Sequence, residues 1–261
     1  MLAILAAVAL TPAIYHIDAP INYDLDIQFE GFLPILGLDQ AKIDLQVGLL
    51  VKGLSPESDG NPRASADVSS LNILLNGAKM PFTKENVAQY FPNIVTLNPQ
   101  GKVLKNNAPD MKLPFELPGL DIKRFPDLTF LAVEFPAEGV EVGKSWTYSR
   151  DFGPSKVNYT VTPTAISAED ISMDVKLTQD YEVLENDAHQ TADNPKDAVS
   201  DVKTHVDGSG TVDFDPHAGL IKSVHMNALA TSTVQDIGTK KETTRTVKTA
   251  MTVALKGPLQ R

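Results

Sequence analysis

The sequence predicts a mainly β protein, with long antiparallel strands in curved sheets forming a barrel or half-barrel, and one or two short helices. Three observations lead there. Apolar and polar residues alternate with period two over several segments. Some of these segments run twelve residues or more, well beyond the usual strand of about five or six. Clusters of Gly, Pro, Asn, Asp and Ser, which favour turns, separate them. Long flat strands would leave exposed edges, so such lengths imply twisting or curling.

The composition allows a substantial core. At 261 residues, 42% hydrophobic and 21% charged, the chain resembles ordinary soluble globular proteins and can form one large β domain or two smaller ones. A formal charge of -10 with no run of Lys and Arg argues against nucleic acid as a partner. The acidity reads as a solubility device. The absence of Cys excludes disulfides, thiolate zinc sites, a cysteine nucleophile and the cysteine of a lipoprotein anchor.

Leu2 to Leu10 is an apolar run followed by Thr11-Pro12-Ala13, which reads as a signal-peptide core with small residues at a cleavage site, although no basic residue precedes it. Residues 1–13 are therefore expected to be a signal-peptide remnant, and the protein exported to the periplasm or the exterior. The competing reading is a short buried strand or helix. The run is far shorter than the roughly 20 residues of a membrane helix, and no transmembrane span is expected elsewhere.

A first β half is expected over 21–107. Ile21, Tyr23, Leu25, Ile27 and Phe29 alternate with Asn22, Asp24, Asp26, Gln28 and Glu30, the pattern of a half-buried strand. A loop or turn containing Pro34 and Gly37 is expected over Gly31–Gln40, and alternation resumes at Ile43, Leu45, Val47, Leu49 and Val51. Gly53–Arg63 reads as a second loop. Parity then switches between Val68 and Leu71, which predicts a bulge near Ser69-Ser70. Asn76-Gly77 suits a tight turn, and Thr83 is a candidate N-cap for a helix over 84–91.

Residues 108–139 form a Pro-rich connector, because Pro109, Pro114, Pro118, Pro126 and Pro136 exclude a central strand. One helical turn is expected near 127–131. The second β half, 140–256, alternates through Ile171, Met173, Val175, Leu177, Tyr181 and Val183, and again from Thr243 to Leu255. Val95–Lys105 and Val212–Lys222 match as hairpins with an Asx-Pro start and a later Gly, Ala218 being the insertion. They are read as an internal repeat relating the two halves, against the alternative of two unrelated hairpins using the same turn chemistry.

The segment Phe135 to Trp146, with Val140-Glu141-Val142-Gly143-Lys144-Ser145-Trp146, is followed by Gly210–Asp215 and Gly219–Ser223. Together they resemble a group of exported bacterial β-rich proteins with no assigned activity. The resemblance covers roughly residues 130 to 225 and implies an envelope or secreted location. Trp146 itself is expected to anchor the core.

No catalytic constellation stands out. Gly208-Ser209-Gly210 lies near His205 and Asp207, but it is not a nucleophile elbow. Asp187, His189, Asp193, Asp197 and Asp201, with His205 and Asp207 beyond, offer oxygen ligands without the spacing of a calcium loop or a zinc helix. They read as a solvated loop, and no metal or cofactor is expected. Asp24, Asp26 and Glu30 share a wet face, and Asn158-Tyr159-Thr160 is a chance sequon. The expected function is non-enzymatic: binding or shielding of an apolar ligand such as a lipid. The alternative is a structural or interaction module of the cell envelope that presents the loops 53–63 and 185–201 to a protein partner.

Overall fold

A computed structural model gives the fold and describes residues 10–17, 20–35, 38–87, 92–107, 133–152 and 155–256. In chain order the strands are β1 (Ile21–Ile35), β2 (Leu38–Leu54), β3 (Arg63–Leu75), β4 (Ala78–Lys79), β5 (Asn93–Leu97) and β6 (Val103–Asn106), with a one-turn helix α1 (Lys84–Val87) after β4. The rest are β7 (Trp146–Phe152), β8 (Ser155–Ile166), β9 (Ile171–Glu185), β10 (Ser200–Asp215), β11 (Leu220–Asp236) and β12 (Glu242–Leu255). The described residues build one antiparallel sheet of twelve strands, ordered β6-β5-β3-β2-β1-β12-β11-β10-β9-β8-β7 with β4 on β3. The sheet is open, since β6 and β7 end it rather than pair.

The first and last strands meet at its centre. Tyr23 opposes Leu255 and Gly31 opposes Val247, so the ladder between β1 and β12 joins segments 21–107 and 140–256 in one sheet. The hairpins singled out in the sequence take different places in this order. β5–β6 forms one end, whereas β10–β11 lies within the sheet.

Alternation dictates which face is buried. Ile21, Tyr23, Leu25, Ile27 and Phe29 are buried on β1 while the residues between them are exposed. The sheet curls around this apolar face. Inward-facing Glu185 on β9 and Arg245 on β12 are in contact at 2.6 Å, although two strands lie between theirs and a flat sheet would set the strands about 14 Å apart. Gly208 and Gly210 fall on the inward row of β10, where an added Cβ would stand 2.8 Å from Leu177 Cγ and 2.6 Å from Met226 Sδ. Missing side chains on the inner face let neighbouring side chains close over the strand.

One sequence expectation needs correction. Gly31–Gln40 is not a loop: β1 continues to Ile35 and β2 restarts at Leu38, with a register irregularity between Phe32 and Ile35. Gly31 adopts φ +140 and packs against the Thr246 carbonyl, so two backbones approach closely where the loop was expected to begin; Gly37 lies outside the described residues. At α1, Thr83 stands at the N-cap as expected, and the contact is closed by Asn86. Its Oδ1 accepts the Thr83 N–H at 2.8 Å, while Thr83 supplies the carbonyl for Asn86 N at 3.1 Å.

Other expectations hold. The β2–β3 register shifts opposite Gly48 and Leu49, between Ser70 and Val68, and Asn76 and Gly77 turn the chain with φ 50 and 80. The expected helical turn at 127–131, most of the connector and the far end of the 84–91 helix lie outside the described residues.

Candidate functional site: the concave face

One end of the concave face is filled by chain rather than by side chains of the strands. Segment 10–17 enters it and pairs with the segment at 133–140, where Thr11 and Val140 exchange backbone hydrogen bonds at 3.0 and 2.9 Å. The Tyr15 and Phe214 rings stand edge-on at 5.3 Å, and Phe135 lies 5.7 Å from Tyr15. Both hairpin turns grip these inserts. Pro99 and Gln100 carbonyls accept from Tyr15 N and Phe135 N, and the Gly219 carbonyl accepts from His16 N, each at 2.9 Å. Burial pushes the Tyr15 and Tyr23 phenols well above their ordinary range.

At the adjoining edge, β7 ties down the second insert. Trp146 Nε1 donates to the Glu134 carbonyl at 2.7 Å, and Arg150 Nε donates to Glu134 Oε1 at 2.8 Å. Tyr148 and Tyr159 stack at 4.8 Å beside this buried pair. Trp146 packs against the core as expected. The inward side chains of β7 and segment 133–135 therefore close one end as a packed plug.

Toward the other end, Ile27, Phe29, Leu33, Ala41, Val206, Ala230 and Val247 make a second buried cluster. Between the two clusters lie Leu45, Leu177 and Met251, which pack against both and are only half-buried. Ile43, Leu71 and Leu75 share that half-buried state nearby. Close-packed interiors bury such mid-strand aliphatics fully. This inward stretch is an apolar surface that the described side chains do not fill completely.

The rim at this end is polar. The loop after β9 is drawn back by a Glu185–Thr191 bridge and knotted around Asn186, whose Oδ1 accepts from Ala188 N and Gln190 N at 3.0 Å. His189, at φ 58, sets its ring edge-on to Phe32 of β1 with centroids 5.4 Å apart. β9 and β1 are four places apart in the sheet order, so the loop reaches across the curled end.

Apart from His189, the residues singled out in the sequence fall elsewhere. Glu30, Asp207 and Ser209 come together on the convex face, in an open groove of about 550 Å³ shared with Gln28, Asn227, Leu229 and Lys248. His205 beside it is clamped between Asp180 and Asp207 at 2.7 and 2.8 Å, and these two hydrogen bonds raise its pKa. Ser209 sits four residues along the same strand, about 13 Å away by strand rise, too far for His205 to act as its base. Asp24 and Asp26 are exposed on this outer face.

Among the described residues no group of three or more His, Asp and Glu converges as a metal cage. Asp187, Asp193 and Asp197 are exposed in the loop, Asp201 is half-buried, and His189 turns to Phe32. Asn158 is exposed and accepts from Ser149 Oγ at 2.9 Å. Sequence reading passed over Arg245, Glu185 and Phe32. The signal was present for Arg245, which shares the apolar parity of Val247 and Met251.

No described helix is long and apolar enough to cross a membrane. No family model matches the chain, and no curated protein matches it. Among solved structures, one of lipovitellin concerned with its lipid–protein interactions superposes with a TM-score of 0.50 at 12% identity, over 95% of this chain and 26% of its own. The chain thus spans about a quarter of that protein's length. DynF, from the dynemicin biosynthesis pathway of Micromonospora chersina, aligns at 9% identity over 94% of this chain and 82% of its own, with a TM-score of 0.14 that carries no structural weight. The lipovitellin likeness is one of fold: a large, open, curved antiparallel sheet.

Proposed function

We propose that the protein is an exported, non-enzymatic carrier or shield for an apolar molecule, and that a lipid chain lies on the unfilled stretch of the concave face. The observation that carries the reading is the half-buried row of Ile43, Leu45, Leu71, Leu177 and Met251 at the centre of an otherwise well-packed sheet. An apolar chain laid there removes that surface from water, at about 25 cal/mol for each Å² buried. Lipovitellin, whose structure concerns lipid–protein interactions, shares the sheet architecture and adds support of an architectural kind only. The N-terminal apolar run and the likeness to exported β-rich proteins support the compartment.

The test is native mass spectrometry of the protein purified from its host, followed by organic extraction of whatever co-purifies. A stoichiometric lipid is expected, and a Leu177→Trp variant, which fills the middle of the face, should carry much less of it. A wild-type protein that is repeatedly clean and fails to bind added dodecanol would sink the proposal.

A further inference from the structure

Along β12 the inward row runs Leu255, Val253, Met251, Thr249, Val247 and then Arg245, and along β9 it ends on Glu185. A charged pair therefore stands on the apolar face, at the end opposite the plug. The side chains of Arg245 and Glu185 are only 15% and 13% exposed. Taking two charges this far out of water is costly, and an apolar pair would close the rim at least as well. The position calls for a reason beyond stability.

The way Arg245 is held supplies one. Its guanidinium carbon lies 4.0 Å from the centre of the Phe32 ring, so β1 fixes the plane of the group. The edge is occupied from elsewhere. Nη1 meets Glu185 Oε2 at 2.6 Å and Nη2 meets His189 Nδ1 at 3.1 Å, and both acceptors belong to the end of β9 and the loop that follows. Rotation of the Glu185 and His189 side chains away from it would uncover the edge while Phe32 keeps the guanidinium oriented. A planar guanidinium presented edge-on matches a carboxylate, and Glu185 already shows the fit.

We propose that Arg245 is the headgroup anchor of the concave face, and that the ligand is an apolar chain ending in a carboxylate that takes the place of Glu185 on the guanidinium. The inference rests on the apolar-chain reading above and adds the chemistry of the polar end. The chain runs inward from Arg245 past Val247 and Met251 toward Leu45 and Leu177. A chain that ends in a neutral group leaves the Arg245–Glu185 pair intact and gains nothing at the rim.

Calorimetric titration of the full chain with laurate and with dodecanol tests this in the wild type, Arg245→Met and Glu185→Gln. The wild type is expected to prefer laurate about tenfold, the scale of one charge-assisted hydrogen bond. Arg245→Met should bind both probes alike, and Glu185→Gln, which removes the competing carboxylate, should widen the preference. Equal binding of the two probes by the wild type overturns the anchor but leaves the apolar-chain reading standing; binding of neither removes both. Should Arg245→Met fail to fold, Glu185→Gln decides alone, and a preference that does not rise overturns the proposal.

Discussion

Tyr15 and Val133 lie 118 residues apart and share a reciprocal pair of hydrogen bonds. The tyrosine hydroxyl donates to the Val133 carbonyl at 3.1 Å and accepts from the Val133 N–H at 2.7 Å. Both backbone groups are inside the concave face, away from strand ladders that could satisfy them. Tyr15→Phe leaves them without a partner at almost unchanged volume. A loss of about 1–3 kcal/mol is expected, read as a lower midpoint in urea denaturation. A midpoint equal to the wild type would mean that the plug is dispensable.

The grip of the hairpin turns on segment 10–17 is tested by comparing two glycines. Gly219 has φ +65, and an added Cβ would lie 2.4 Å from His16 N; Gly77 has φ +80 and meets nothing within 4 Å. Both alanine variants bear the left-handed conformation, at roughly 1–2 kcal/mol. Gly219→Ala should lose more than Gly77→Ala, because only there must segment 10–17 move. Equal losses in thermal unfolding would deny the turn its docking role.

Arg150 and Glu134 form a buried pair, with side chains 5% and 15% exposed. Removing one partner strands the other. Arg150→Met is expected to cost about 3–5 kcal/mol, and the double variant with Glu134→Gln should recover a good part of it. Chemical denaturation of the four proteins in the cycle provides the measurement. A double variant as unstable as Arg150→Met alone would show that the loss comes from packing.

His205 offers a pH prediction. Hydrogen bonds to Asp180 and then Asp207 raise its pKa in the folded protein, above the unfolded value of about 6.5. The stabilisation is therefore fully present below the unfolded pKa and is lost as pH rises through the folded one. The ring is half exposed, so the effect on unfolding is expected to be small. Its NMR titration midpoint should lie above that of a free histidine, and Asp180→Asn should lower it. An unshifted midpoint in the wild type would mean that the clamp does not persist in solution.

Much of the fold was legible because strand periodicity is a local property. The parity of Ile21 to Phe29, the switch at Ser69-Ser70 and the turn at Asn76-Gly77 each depend on neighbours a few residues away. Curvature followed from length alone. The Gly31–Gln40 segment was misread because Pro34 and Gly37 are turn formers judged locally, and only the pairing of β1 with β2 shows that the strands run on to Ile35 and from Leu38.

The candidate site was less legible, for a physical reason. Sequence determined that one face of the sheet would be apolar and that its members would be long strands. It could not say that β1 pairs with β12, that segment 10–17 would occupy one end of the concavity, or that Arg245, Glu185, His189 and Phe32 would meet at the other. Those meetings join residues 56 to more than 200 positions apart and depend on how far the sheet curls. Alternation chooses the face of each strand, whereas the curl is set collectively by the strands and by the chain packed inside them.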